Sequence, residues 1–166
     1  LTKGSLNHLT HQLKKTPTQH FEEITKVIEL AVENNIKTNK QKFVVFDTYD
    51  VDKNKVEFSI ATTLKEIIYT TPESEFTVDS IMPHQALKII LKGDYSHSKE
   101  AWDKGFDYLK KNNLEQNYNG TFREVYIKNR TDVKQPSQWL TEIYIPVKQQ
   151  SSKPVNVVPA NSTPIE

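Results

Sequence analysis

Two stretches of the chain carry the side chains best suited to chemistry. Residues 121–128 place Glu124 and Tyr126 two positions apart, and residues 140–147 repeat this with Glu142 and Tyr144. Alternate side chains of a strand share one face, so each stretch presents a carboxylate beside a phenol. Such a pair can hold an organic cation among aromatic rings, or it can act as a general base with a hydrogen-bond donor.

The strand alternation leaves two interpretations of these residues. The aliphatic set expected to lie under helices is Val125, Ile127, Ile143 and Ile145. That choice puts both Glu-Tyr pairs on the open face of a sheet. In the first interpretation the face is exposed to solvent, where alternating Glu and Tyr residues are common. The other interpretation is a partly covered, concave face with aromatic walls and a carboxylate anchor, as small-molecule sites commonly have.

The elements that position these residues occur twice. An apolar stripe from Phe21 to Val32 predicts a helix ending near residues 34–35, followed by strands at 42–47 and 55–62. A strand at 85–92, a helix with Trp102 on its inner face, and strands at 121–128 and 140–147 follow. The halves match at an offset of roughly 78 residues, rising to about 85 in the last strand. The predicted fold is α+β: duplicated βαββ halves forming one antiparallel sheet, with both helices on one face and a ligand cleft on the other.

The ends of the chain are less regular. Leu6, Leu9 and Leu13 have helical spacing, so residues 1–14 are predicted to be a helix left from an upstream domain or an N-terminal segment. The first half lacks a strand to match 85–92, and residues 5–14 are the alternative candidate for it. Residues 16–19 read as a helix start, and residues 149–166 read as a disordered tail.

Composition excludes several classes of function. The chain has 166 residues, 36% of them hydrophobic, and a net charge of +1. No apolar run approaches the roughly 18 residues of a membrane span, and no basic run suggests direct nucleic-acid contact. The chain has no cysteine, its five histidines do not form a ligand set, and its four glycines include no phosphate loop. We therefore expect no metal, no cofactor and a cytoplasmic location.

The second half resembles a known family. The similarity is carried by the motifs 82–83 (MP), 90–95 (ILKGDY), 101–102 (AW), 124–126 (EVY) and 141–147 (TEIYIPV), in the family's order and spacing. They closely resemble the GyrI-like effector-binding domain of bacterial transcription activators. The resemblance implies a domain at 15–148, with halves at about 15–70 and 77–148.

That resemblance also implies a site. The central glutamate of the family corresponds to Glu124, and in its regulators the domain senses lipophilic, often cationic, drugs for a DNA-binding domain. Val44 and Phe46 stand at the equivalent place in the first half, so one deep carboxylate is expected. The expected ligand-binding residues share a carboxylate or an aromatic ring; they are Glu124, Tyr126, Trp102, Tyr95, Tyr144, Glu142 and Phe46. Residues 1–9 also resemble the closing helix of a START-like domain, which implies an upstream ligand-binding domain and allows a membrane anchor there.

Three functions remain open at this point. The favoured one is binding or sensing of a small hydrophobic or cationic ligand anchored by Glu124. The second is hydrolysis of a reactive small molecule, with Glu124 as general base and Tyr126 or another tyrosine as donor. The third is a structural role in which the domain's own side chains fill the cleft and the segment from Ser151 acts as a tether or plug.

Overall fold

The computed structural model of the protein describes residues 6–13, 20–50, 55–74 and 76–149, with side chains described within 25–47, 57–74 and 76–149. Within these residues the chain forms two helices and seven strands. In chain order they are β1 (Leu6–Leu13), α1 (His20–Glu33), β2 (Thr38–Asp50), β3 (Lys55–Leu64), β4 (Thr77–Ile81), β5 (Ala86–Lys92), α2 (Ser98–Lys111), β6 (Phe122–Lys128) and β7 (Leu140–Pro146).

The strands form one antiparallel sheet in the order β4-β1-β3-β2-β6-β7-β5. Each half contributes the same three-strand pattern, β1-β3-β2 and β5-β7-β6, and the halves meet where β2 pairs with β6. Val44 lies directly opposite Glu124 at that junction. The predicted α+β fold of two βαββ halves is therefore confirmed.

The N-terminal helix prediction is wrong. Leu6–Leu13 is a strand that pairs with β3 on one side and β4 on the other, so it is the missing first strand of the first half. The sequence pattern predicts no strand at Thr77–Ile81, where β4 lies. The helix start at residues 16–19 and the tail from residue 150 lie outside the described residues.

Both helices cover the same face of the sheet, which we call the helix face. Val27 and Ala31 of α1 share a buried cluster with Val44 and Ile60, and Ala101 and Leu109 of α2 share another with Ile143 and Ile145. Gly105 lets α2 approach closely, since a Cβ there would lie 2.4 Å from Ile89 Cδ1.

The predicted face of β7 is right and that of β6 is wrong. Glu124 is paired directly with Val44 and Ile143, and direct cross-strand partners share a face, so Glu124 lies on the helix face and Tyr126 lies there with it. Val125 instead packs on the opposite face with Phe43 and its neighbours. The opposite face has an apolar cluster of its own, so aliphatic character alone could not identify the face under the helices.

Candidate functional site

Strand β6 lies between the two helices. In the described part of the chain, α1 packs mainly over β2 and β3, and α2 packs over β5 and β7. The helix-face residues of β6 are Phe122, Glu124 and Tyr126, and they are covered by aromatic side chains from both halves. We call this group the aromatic cluster; it comprises Phe46, Tyr95, Trp102, Phe106, Phe122, Tyr126 and Trp139 around Glu124.

Glu124 is a buried carboxylate held by two neutral donors. Its relative exposure is 6%. Trp102 Nε1 donates a hydrogen bond to Oε1 at 2.6 Å, and the Tyr126 hydroxyl donates one to Oε2 at 2.9 Å. Burial raises the pKa of Glu124, and the two hydrogen bonds oppose that rise only in part. No cationic side chain among the described residues forms an ion pair with it, so its negative charge has no counter-ion there.

One wall of the aromatic cluster is built from tyrosine and tryptophan rings. Tyr95 meets Tyr126 edge to face with ring centroids 5.6 Å apart, and it stacks on Trp139 at 4.6 Å. Burial raises the pKa of Tyr95 to about 12, and burial with the nearby Glu124 charge raises the pKa of Tyr126 well above its ordinary value. Both phenols therefore keep their protons at neutral pH.

The position of Tyr95 follows from a local turn. Gly93 has φ 130°, a left-handed conformation that strongly favours glycine, and its amide donates to the Trp139 carbonyl at 3.1 Å. Asp94 then accepts a hydrogen bond from the Ser96 amide at 2.8 Å. These contacts end β5 and set Tyr95 against Trp139 before α2 begins.

The other wall surrounds the indole of Trp102. Phe46 meets Trp102 edge to face at 5.3 Å, and Phe106 and Phe122 lie nearly parallel to it at 5.9 and 6.5 Å. Trp102 thus bridges the two halves, because Phe46 comes from β2 and Phe122 from β6. Unlike Tyr126, which is 3% exposed, Trp102 is only partly buried.

The structure brings together five of the seven residues expected at the site: Glu124, Tyr126, Trp102, Tyr95 and Phe46. The expectation fails for Glu142 and Tyr144, which lie on the opposite face. There Glu142 accepts hydrogen bonds from Lys88 Nζ at 2.7 Å and from Tyr144 at 2.5 Å. Burial alone would raise the pKa of Glu142, but these bonds and the Lys88 charge outweigh it, so its pKa lies below the ordinary value.

Sequence reasoning missed three members of the cluster. Phe122 carried a usable signal, since it shares its strand parity with Glu124. Phe106 carried a signal too, since it lies four residues after Trp102 on the same helix. Trp139 lies before β7 and had no signal, because its position depends on the Gly93 contact and on its own Nε1 bond to the Val133 carbonyl at 2.9 Å.

Among the described residues, no group of histidine and acidic side chains is arranged to hold a metal ion. No described helix is both long and apolar enough to span a membrane.

Comparison with known proteins gives a family and a fold. The profile of the GyrI-like small molecule binding domain matches residues 7–148. The crystal structure of the EcmrR C-terminal domain superposes with a TM-score of 0.73 at 15% identity, covering 87% of this chain and 92% of that one. The structure of SAV2435 bound to tetraphenylphosphonium has a TM-score of 0.57 at 14% identity and covers 87% of this chain and 89% of that one. A hydrolase from Listeria innocua has a TM-score of 0.57 at 10% identity and covers 89% of this chain and 90% of that one.

Proposed function

Because the chain belongs to the GyrI-like family of small-molecule binding domains, we propose that it binds a lipophilic organic cation in the aromatic cluster, with Glu124 as the charged contact. The observation that carries the proposal is the burial of Glu124 without a cationic partner among the described residues. A buried charge is costly unless it is paired, and such groups are often retained for function. A ligand cation supplies the missing partner.

The energetics favour a cation over a neutral molecule. A unit charge 4 Å from the carboxylate gains about 4 kcal/mol at an effective dielectric of 20. Each ring face adds roughly 0.5–2 kcal/mol of cation–π attraction. The rings that stack around Trp102 and Tyr95 also provide the apolar surface that a lipophilic body requires.

Ligand entry requires one neighbour of Glu124 to move. Tyr126 is packed in the same core cluster as Val27 and Ala31 of α1, whereas Trp102 is only partly buried. We propose that the Trp102 indole is displaced and that the ligand cation replaces its N–H at Glu124 Oε1. Because Trp102 belongs to α2, we propose that its displacement moves this helix relative to the sheet, a movement that a partner domain can detect.

We extend the proposal to sensing. The EcmrR C-terminal domain shares the fold, and so does a structure described as a putative bacterial transcription regulation protein from Staphylococcus aureus. In this proposal the domain makes no direct contact with nucleic acid. Its partners are the ligand and a further domain of the full-length protein.

A thermal-shift experiment tests the charge anchor. Tetraphenylphosphonium and the neutral triphenylphosphine oxide are added to the wild type, to Glu124→Gln and to Glu142→Gln. A ligand at 100 times its Kd stabilises the fold by about 2.7 kcal/mol. We expect the cation to give the larger shift in the wild type and in Glu142→Gln, because Glu142 lies on the opposite face, and to lose that advantage in Glu124→Gln. Equal shifts by both compounds in all three proteins would contradict the proposal.

One observation favours hydrolysis as a second candidate. A carboxyl with a raised pKa and a phenol donor 2.9 Å away can act as a general base and an electrophilic donor. Turnover of p-nitrophenyl esters that disappears in Glu124→Gln, while that variant still binds neutral hydrophobes, would support this function. Turnover that survives the substitution would exclude Glu124 as the base.

A further inference from the structure

A pocket lies at the C-terminal end of α1, outside the aromatic cluster. Its volume is about 450 Å³, within the range of roughly 300–1,000 Å³ typical of small-molecule sites. It is open to solvent on one side and is lined by residues that follow α1 and by the segment that leads from β3 to β4. Nothing in the proposed function uses it.

The inner wall of this pocket is apolar and firmly packed. Phe76 is 9% exposed and belongs to the core cluster that contains Tyr126, and Ile36 and Ile68 pack against the same cluster. The wall is therefore formed before any ligand arrives. Preformed walls reduce the ordering cost of binding.

The outer part of the pocket carries a negative charge and an aromatic ring. The Tyr69 side chain is 96% exposed, and the lining also includes the exposed residue Glu73. Asn35, with φ 56°, lies in the turn that follows α1, and the last turn of that helix has no basic residue to offset the negative end of its dipole. The nearby charge of Lys37 is directed to Glu66, 3.5 Å away.

We propose that this pocket binds a small organic ammonium ion, with the apolar body against Ile36, Ile68 and Phe76 and the charge toward Glu73 and the Tyr69 ring. The Tyr69 face supplies cation–π attraction, and Glu73 with the helix end supplies the negative potential. This site goes beyond the proposed function and does not depend on Glu124. Its wall is continuous with the cluster that holds Tyr126, so the two sites share a rigid boundary.

The test uses Glu124→Gln protein, so that the aromatic cluster cannot supply the charge. Benzylammonium and the neutral benzyl alcohol are titrated while backbone amide NMR shifts of Asn35, Thr70 and Ser74 are followed. We expect saturable shifts with benzylammonium that are weaker with benzyl alcohol. Tyr69→Ala and Glu73→Gln should each weaken the cation's binding about two- to fivefold.

The matched control is Tyr108→Ala, which removes a solvent-facing tyrosine of α2, 51% exposed, away from the pocket. It should leave the titration unchanged. Absence of saturable shifts at the three amides, or equal affinity in Tyr69→Ala, Glu73→Gln and the parent, would overturn the inference. Neither result bears on the proposed function, because the parent protein already lacks the Glu124 charge.

Discussion

The buried charge of Glu124 should make the free energy of unfolding depend on pH in a definite direction. Its pKa is raised in the folded state because of burial, so the native protein holds this proton more tightly than the unfolded chain does. The stabilising contribution is fully present below the unfolded-state pKa and is lost as pH rises through the folded-state pKa. Glu124→Gln keeps the shape of the side chain and removes the titration.

The size of the effect follows from opposing contributions. Burying a carboxylate without a counter-ion costs several kcal/mol. The two hydrogen bonds to the charge, from Trp102 and Tyr126, return roughly 1.5–3 kcal/mol each, and a glutamine amide keeps only part of this. Between the unfolded-state and the folded-state pKa of Glu124, the stability of Glu124→Gln relative to the wild type should therefore rise by about 1.4 kcal/mol for each pH unit.

Chemical denaturation from pH 4 to 9 measures this difference. The difference in free energy of unfolding between Glu124→Gln and the wild type should increase in favour of the variant as pH rises. It should be small at the acid end of the range. Glu142→Gln is the matched control, because the pKa of Glu142 is lowered: its contribution is present above the unfolded-state pKa and is lost as pH falls through the folded-state pKa. A difference that stays constant or narrows between pH 4 and pH 9 would refute the account of an unpaired buried charge.

Two other substitutions test the packing that supports the site. Trp102→Phe removes the 2.6 Å hydrogen bond to Glu124 Oε1 and should lower the free energy of unfolding by about 1–3 kcal/mol. The loss should be larger at pH 8 than at pH 5, because the bond is stronger to the charged carboxylate. A loss that chemical denaturation finds to be independent of pH would contradict the role of that bond. Gly105→Ala would place a Cβ 2.4 Å from Ile89 Cδ1 and 2.7 Å from Ile145 Cδ1. The overpacking should cost about 1–3 kcal/mol, which exceeds the gain in helix propensity, so the Tm should fall. A higher Tm would show that α2 can move away from the sheet at little cost.

The elements of the second half were predictable because their periodicity is strong and agrees with the tertiary structure. The strand at Leu6–Leu13 was not. Its leucines are spaced three and four apart, which is a helical pattern, but pairing with β3 and β4 on its two sides determines the outcome. In a short segment with a weak intrinsic preference for helix or strand, pairing with the adjacent strands decides the secondary structure.

The face of β6 shows a different limit of sequence reasoning. Apolar residues occur on both parities of this strand, with Phe122 and Tyr126 on one and Val125 on the other. Alternation therefore predicted which residues share a face but not which face the helices cover. That information lies in the register with β7, where Glu124 pairs with Ile143, and a shift of one residue would reverse it.

The duplication explains why the charge lies where it does. β2 and β6 pair at the junction of the halves, so positions there are related by the internal symmetry. Val44 occupies one of the two directly opposed positions, and Glu124 the other. A second carboxylate at Val44 would face Glu124 across neighbouring strands, and two such groups cannot both ionise readily. The difference between the halves at this pair thus leaves a single negative charge among the aromatic rings, as the proposed binding of one monovalent cation requires.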